Sequence, residues 1–293
     1  MKRVAVIAHR KKVLGGGLAE LRRVLAERGV EDVFWREVDK SKYAPKQVEA
    51  ALDHKAELVF VWGGDGMVQR CVDVLAGTRA RVAILPAGTA NLLATNLEIP
   101  KDIEAAVDIG LHGGTRRIDV GRVNGERFAV MAGAGFDARM IGDADGGLKD
   151  RFGRLAYIWT GAKNIREPPF HARIAVDGSR WYDGEASCIL LGNVGQLFGG
   201  IEAFDNAQPD DGLLEVGVTN AEGIGQWART VARTAIGSTA KSPFVQVTKA
   251  KKIRIELDRK ITYELDGGER DAAKTFKVKI EPGAITVRVP HPE

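Results

Sequence analysis

The stretch Leu58-Val-Phe-Val-Trp-Gly-Gly-Asp-Gly-Met67 decides the fold. Its first five residues are apolar and branched or aromatic, which predicts a buried strand, and the apolar residues of Met67–Leu75 recur at helical spacing. Glycines between a strand and a helix are typical of a phosphate-binding turn, because the backbone can approach the ligand and the helix offers unpaired N–H groups. No Gly-Lys-Ser/Thr follows, so this is not a Walker A loop. A turn without a ligand is the alternative that the motif alone leaves open.

Strand and helix alternate over the first 120 residues, which predicts a doubly wound parallel sheet in an α/β N-terminal domain. Apolar runs predict the strands, and apolar residues at helical spacing predict the helices. The predicted strands are Val4–Ala8, Val33–Arg36, Leu58–Trp62 and Val82–Leu85. The predicted helices are Leu18–Arg28, Val48–Leu52, Met67–Leu75 and Ile103–Ile109.

The remainder of the chain is rich in strands, which predicts an antiparallel sandwich or open barrel as the C-terminal domain. Asp177-Gly178 is a hairpin turn signal, and two helices interrupt the strands, at Phe152–Ile165 and Gln226–Ile236. We expect domains over residues 1–120 and 121–280, with a tail of about residues 281–293 that can return to the first. The predicted strands are Phe128–Met131, Ala172–Val176, Ser187–Leu191, Leu213–Val218, Phe244–Val247, Ile253–Leu257, Ile261–Leu265, Phe276–Ile280 and Ile285–Val289.

Composition is that of a soluble globular chain of 293 residues with a formal net charge of +4. This charge suits phosphate ligands or an anionic membrane surface and gives no argument for a nucleic-acid partner. No apolar stretch approaches the length of a membrane span, and the N-terminus lacks the apolar core of a signal peptide. The two cysteines, Cys71 and Cys188, lie in apolar stretches and are expected to be buried free thiols, which fits the cytoplasm.

A second polar loop, Pro86-Ala-Gly-Thr-Ala-Asn91, follows the strand Val82–Leu85. Ligands of parallel sheets bind at the carboxyl ends of the strands, so we expect Thr89 and Asn91 to lie near the glycine turn. The alternative for Asn91 is a helix cap. At the end of the first strand, His9 and the cations that follow it can face a phosphate, and a solvated basic loop is the alternative there.

Five motifs in a fixed order give the chain a resemblance to a known family. They are Gly63-Gly-Asp-Gly66, Leu85-Pro-Ala-Gly-Thr-Ala-Asn91, Gly133-Ala-Gly-Phe-Asp-Ala138, Gln208-Pro-Asp-Asp-Gly-Leu-Leu214 and Leu265-Asp-Gly-Gly-Glu269. Together they resemble the catalytic fold of the diacylglycerol and sphingosine kinases, most closely the soluble bacterial lipid kinases, and that fold is related to the NAD kinases. The resemblance covers nearly the whole chain.

The resemblance implies an ATP- and Mg²⁺-dependent transfer of the γ-phosphate to a lipid hydroxyl. It implies that Asp266 is the general base, and that Asp211 with the backbone carbonyls of Gln208 and Leu213 forms a structural Mg²⁺ site. Asp65 is implied to belong to an acidic network around the catalytic metal. The positions expected to bind nucleotide are His9, Gly63, Gly64, Asp65, Gly66, Met67, Thr89 and Asn91.

Three positions depart from the family pattern. Met67 stands where the family usually has a threonine, whose hydroxyl can bond a phosphate oxygen. His9-Arg-Lys-Lys-Val13 replaces a neutral Asn-Pro-x-Ser-Gly loop, and an inserted Gly268 displaces Glu269 by one position. The loss of that hydroxyl at Met67 favours nucleotide binding over turnover.

Three other functions remain open from the sequence. Met67 and the altered first loop motivate a catalytically silent nucleotide- or lipid-binding regulator, and the relation to the NAD kinases motivates a kinase for a soluble acceptor. Gly133-x-Gly-x-x-Ala138 imitates a dinucleotide fingerprint, but it follows the parallel sheet, which disfavours an oxidoreductase. We expect a lipid partner met at a membrane surface, with cytoplasmic or peripheral inner-membrane location, and a homodimer is left open.

Overall fold

The computed structural model describes residues 3–135, 168–197, 201–204, 207–221 and 244–291. The chain divides into two compact units. The first contains Met1–Val120 and Glu281–Glu293, and the second contains Gly121–Ile280. The predicted helices Phe152–Ile165 and Gln226–Ile236 lie outside the described residues.

The first unit is built on a parallel sheet, as the sequence predicts. Its strands lie in the order β2-β1-β3-β4, and the end of a long later strand pairs in parallel with β4. β3 is buried along its whole length, and so is nearly all of β1. This burial explains why both strands are continuous apolar runs rather than alternating ones. The bounds are β1 Val4–His9, β2 Val33–Val38, β3 Leu58–Gly63 and β4 Arg81–Pro86.

Five α-helices connect these strands, and each helix that was predicted in this unit is present. Val48–Leu52 was predicted to belong to a helix, and that helix extends from Ala44 to Asp53. It carries Pro45 in its first turn, where no backbone N–H is needed. One short helix was not predicted, since five residues are too few for a periodic pattern. The bounds are α1 Gly17–Glu27, α2 Ala44–Asp53, α3 Asp65–Leu75, α4 Leu92–Asn96 and α5 Ile103–His112, with a 3₁₀ turn at Ser41–Tyr43.

The second unit consists of antiparallel strands around their own apolar core, which confirms the predicted β-rich half. Large buried side chains include Phe128, Phe170, Leu214 and Phe276. From residue 114 onwards the strands are β5 Gly114–Val123, β6 Glu126–Phe128, β7 Met131–Ala134, β8 Phe170–Val176, β9 Ser179–Ala186, β10 Cys188–Gly192, β11 Gln196–Leu197, β12 Ile201–Glu202, β13 Leu214–Thr219, β14 Val245–Ala250, β15 Lys252–Leu265 and β16 Gly268–Val289. Residues 114–120 of β5 and 281–289 of β16 belong to the first unit.

Turn chemistry was predicted better than strand length in this unit. Asp177 and Gly178 both have positive φ, 49° and 90°, and form the predicted turn, but they join β8 to β9, a strand that was not predicted. The predicted division of Lys252–Leu265 into two strands is wrong, because the polar residues between them form a register shift within β15. The predicted division of Gly268–Val289 is wrong for a similar reason, since β16 continues through Pro282 and Gly283.

No helix within the described ranges is long and apolar enough to cross a membrane.

Candidate functional site

The glycine turn at the end of β3 is open on one side and packed on the other. A Cβ on Gly63 would lie 2.5 Å from Cβ of Met67, so the buried Met67 side chain fills that side. A Cβ on Gly66 would meet nothing within 4 Å. Because Gly66 lies in the first turn of α3, the open side of the turn adjoins a helix N-terminus, which is the environment that phosphate groups favour.

The second loop, residues 86–91, packs directly against the first. The N–H of Ala87 donates to the Gly63 carbonyl at 3.0 Å. A Cβ on Gly88 would collide with Cα of Gly64 and lie 2.7 Å from Oδ1 of Asn91. Two glycines, Gly64 and Gly88, are therefore required by the contact between the loops, and Gly66 is the one whose missing side chain leaves open space.

Asp65 joins the two loops through its carboxylate. Oδ2 accepts the N–H of Asn91 at 2.9 Å, and Oδ1 accepts the N–H of Leu92 at 2.5 Å. Burial raises the pKa of Asp65, and these N–H donors partly oppose the rise because they stabilise the charged form. Asp65 thus caps α4 from another element, a structural role that the sequence did not reveal. Its predicted place in a metal network stays a prediction.

Asn91 holds the shape of the second loop. Its side chain accepts the N–H of Gly88 at 2.8 Å and donates to the Gly88 carbonyl at 2.7 Å. The residue is buried and adopts left-handed backbone, with φ of 51°. Asn91 stands at the N-cap position of α4, as the alternative held, but its side chain makes no capping hydrogen bond because it turns back to Gly88.

Thr89 is exposed at the tip of this loop. The Lys101 ammonium donates to the Thr89 carbonyl at 2.6 Å and brings a positive charge to the loop. Sequence reasoning missed Lys101, because it lies 12 residues further along the chain and matches no motif.

The basic loop after β1 lies beside the glycine turn. A Cβ on Gly63 would lie 3.7 Å from Cβ of His9, and the Trp62 indole donates to the Lys12 carbonyl at 3.0 Å. Burial, followed by the nearby Lys12 charge, lowers the pKa of His9. Arg10 is engaged by Glu37 and Asp39, at 3.3 Å each. Lys11 and Lys12 are exposed at the sheet edge that carries the turn.

Asp266 lies in the second unit and begins the turn between β15 and β16. It is 3% exposed and has positive φ, 46°, as a tight hairpin requires. Its Oδ1 accepts the N–H groups of Val130 and Met131 at 2.9 and 2.8 Å, and Oδ2 accepts that of Ala129 at 2.8 Å. These bonds fix the backbone before β7. Glu269, in the same hairpin, is exposed.

Asp211, in the same unit, contacts a cation supplied by the chain. Its Oδ1 accepts the N–H of Leu213 at 2.9 Å, and its Oδ2 lies 3.3 Å from Nζ of Lys249. Gln208 is exposed at the start of this segment. Within the described part of the chain, no group of three His, Cys, Asp or Glu side chains is placed to hold a metal ion.

The two cysteines are buried free thiols, as predicted, and burial raises the pKa of each. In the third motif, Phe136–Ala138 lie outside the described residues.

Two family models match the chain, one for each predicted half. Residues 6–123 match "Diacylglycerol kinase catalytic domain", and residues 130–289 match "YegS C-terminal NAD kinase beta sandwich-like domain". The second match confirms the sandwich prediction for the C-terminal half.

Curated relatives extend over most of the chain. A protein of Cronobacter sakazakii named "Probable lipid kinase YegS-like" is 31% identical, with 88% of this chain and 85% of that protein covered. A protein of the same name from Pseudomonas aeruginosa PAO1 is 31% identical over 98% of this chain and 94% of its own length. The "Diacylglycerol kinase" of Bacillus subtilis is 30% identical over 75% of this chain and 73% of its own length.

Among solved structures, a diacylglycerol kinase from Bacillus anthracis superposes with a TM-score of 0.76 at 23% identity, covering 98% of this chain and 97% of its own. Yeast NADH kinase, solved with NADH, gives a TM-score of 0.54 at 11% identity, covering 98% of this chain and 82% of its own. At these identities the likeness concerns the fold alone.

Proposed function

Because the chain belongs to the YegS-like, diacylglycerol kinase-like family of lipid kinases, we propose that it transfers the γ-phosphate of ATP to a lipid hydroxyl. The observation that carries the proposal is the open side of the glycine turn at Gly66, at a helix N-terminus. A phosphate group fits there because the backbone leaves room and supplies N–H donors. Positive charge reaches the same sheet edge from the loop after β1, with Lys11 and Lys12, and from Lys101, which binds the second loop.

The residues of the first unit would bind and orient the triphosphate. The turn at Gly66 would accept one phosphate group, and the exposed ammonium groups of Lys11, Lys12 and Lys101 would offset its charge. Asp65 would act indirectly, since both of its oxygens hold the backbone of the second loop. Bound with the nucleotide, Mg²⁺ would supply further charge neutralisation. Rigid loops suit this chemistry because phosphoryl transfer depends on positioning and electrostatics.

Proton removal from the acceptor hydroxyl is assigned to the hairpin after β15. Asp266 is the predicted base, and its carboxylate is buried among three N–H donors, so Glu269 is the second candidate. The variants Asp266→Asn and Glu269→Gln separate the two. Loss of a positioned base lowers kcat by about 10²–10⁴-fold, whereas loss of a structural anchor lowers the unfolding temperature as well. A Glu269→Gln variant with full activity excludes Glu269.

The acceptor is proposed to be a diacylglycerol-like or sphingoid lipid, met at a membrane surface. Moving each acyl CH₂ into water costs about 0.8 kcal/mol, so two long chains would cost on the order of 20 kcal/mol. The enzyme would therefore work on lipid that stays in the bilayer. Exposed cations on the outer face of the second unit would favour an anionic surface, and they form two cross-strand pairs, Lys252 with Lys279 and Arg254 with Lys277.

Vesicle co-sedimentation tests whether this basic face of the second unit contacts an anionic membrane. Each basic residue near an anionic bilayer contributes about 1 kcal/mol, so the double variant Lys252→Gln, Lys277→Gln is expected to bind phosphatidylglycerol vesicles about tenfold or more weakly. Binding to neutral phosphatidylcholine vesicles is the control. An unchanged affinity for anionic vesicles contradicts a role for this face and leaves the kinase proposal standing.

A silent nucleotide-binding regulator is the second candidate. It is favoured by Met67, whose buried side chain supplies no hydroxyl to a phosphate, and by the burial of Asp266. Transfer of labelled phosphate from ATP to diacylglycerol, sphingosine or ceramide in mixed micelles distinguishes the two. Turnover on any of these lipids supports the kinase. ATP binding without turnover, also with a total lipid extract, supports the regulator, and transfer to NAD without lipid supports a soluble acceptor.

A further inference from the structure

Lys249 on β14 contacts two carboxylates of the segment that was predicted to bind magnesium. Its Nζ lies 2.7 Å from Oε1 of Glu215 and 3.3 Å from Oδ2 of Asp211. The Glu215 side chain is 9% exposed, so its charge needs a nearby cation. The Lys249 ammonium supplies that cation.

The backbone fixes this arrangement. Lys249 and Glu215 stand directly opposite each other on the antiparallel strands β14 and β13, where side chains on one face meet. Asp211 is held from the other side, because its Oδ1 accepts the Leu213 N–H at 2.9 Å. The remaining oxygen of Asp211 is thus directed to the ammonium.

Mg²⁺ does not fit these residues as they stand. The ion takes oxygen ligands at about 2.0–2.1 Å in near-octahedral geometry, and it is repelled by a neighbouring ammonium. At Asp211 one oxygen faces a backbone N–H and the other faces Lys249. The ion would have to displace Lys249 from Asp211, and the buried Glu215 would lose its partner if the ammonium moved away.

We propose that the Lys249 ammonium takes the place of a structural divalent cation in this chain. It neutralises charge at Asp211 and Glu215, and it ties the loop that carries Asp211 to β14. The second unit then requires no bound metal for its stability. This inference does not depend on the acceptor of the proposed reaction, nor on the Mg²⁺ that enters with a nucleotide.

Thermal unfolding of the full chain, without nucleotide, tests the inference. The unfolding temperature of the wild type is expected to be the same in EDTA and in 5 mM Mg²⁺. In Lys249→Met the two carboxylates lose their cation, and the unfolding temperature in EDTA should fall by about 2–4 °C or more. Added Mg²⁺ should restore part of this loss, since the freed carboxylate oxygens can now hold the ion. Lys251→Met, at an exposed neighbouring position, is the matched control and should change neither value.

Mn²⁺ binding, followed by electron paramagnetic resonance without nucleotide, gives a second readout. The wild type should leave Mn²⁺ free, Lys249→Met should bind it, and adding Asp211→Asn to that variant should abolish the binding. If Lys249→Met does not fold, Lys249→Arg should keep the metal-independent unfolding temperature. The proposal is overturned if EDTA lowers the unfolding temperature of the wild type, if the wild type binds Mn²⁺ at this segment, or if a folded Lys249→Met behaves like the control.

Discussion

Replacing Gly66 with alanine separates nucleotide binding from stability. A Cβ at this position meets no atom of the protein within 4 Å, and the backbone is not in the left-handed region. Gly66 lies in α3, where alanine is favoured over glycine by about 0.5–1 kcal/mol. Gly66→Ala is therefore expected to be as stable as the wild type or slightly more stable.

Nucleotide affinity should change in the opposite direction. The added methyl group fills the space that is proposed to hold a phosphate, so the ligand loses a charge-assisted hydrogen bond worth about 1.5–3 kcal/mol. That loss corresponds to a dissociation constant for ATP that is roughly 10- to 150-fold higher. Isothermal titration with Mg²⁺-ATP measures the affinity, and urea unfolding measures the stability.

Gly88→Ala is the matched control for the stability measurement, because the added Cβ would collide with Cα of Gly64. Overpacking of this kind costs about 1–3 kcal/mol of unfolding free energy. A Gly66→Ala variant that binds ATP as tightly as the wild type would refute the assignment of the turn as the phosphate site. A Gly66→Ala variant that is strongly destabilised would show that the turn is not open.

Three further outcomes follow from the contacts of the first unit. Asp65→Asn should lower the unfolding free energy by about 1–3 kcal/mol, because an NH₂ donor replaces one of the two oxygens that accept the N–H groups of Asn91 and Leu92; unchanged urea stability would contradict the cap. Met67→Thr should lower the unfolding free energy by about 2 kcal/mol or more, since Met67 is 2% exposed. It should bind ATP no more tightly than the wild type, because the side chain at this position packs on Gly63; tighter binding in titration would contradict this orientation. The pKa of His9 is lowered from 6.5, so the folded chain binds this proton less readily than the unfolded chain, and the unfolding free energy should fall as the pH drops below about 6.5. His9→Gln should remove that part of the pH dependence of the unfolding free energy. ATP should raise the pKa of His9 in an NMR titration of the wild type, and a pKa that ATP leaves unchanged would mean that His9 does not face the phosphates.

The fold of the first unit was predictable because its signals are local. Residues 58–75 alone are enough to recognise an apolar strand that ends in glycines and is followed by a helix. The short helix α4 escaped because it owes its start to Asp65, a residue 27 positions from Leu92. The predicted breaks in β15 and β16 failed because polar residues or Pro-Gly inside a long strand resemble a turn.

The site was predictable at the level of motifs but not of contacts. The sequence identified Gly63–Gly66 as a turn, yet only the packing of Gly64 on Gly88 shows that Gly66 is the open position. Lys249 belongs to no motif, and its contact with Asp211, 38 residues earlier in the chain, depends on the register of β13 and β14. The burial of Asp266 likewise depends on a partner segment more than 130 residues away.

Transfer of labelled phosphate from ATP to lipid tests the central claim most directly. Wild-type protein with Mg²⁺-ATP and a total lipid extract in mixed micelles should yield a labelled lipid, and at subsaturating ATP the yield should fall about tenfold or more in Gly66→Ala, in line with the weaker binding. No labelled lipid from any acceptor, with folded protein that binds ATP, would contradict the claim that this chain is a lipid kinase.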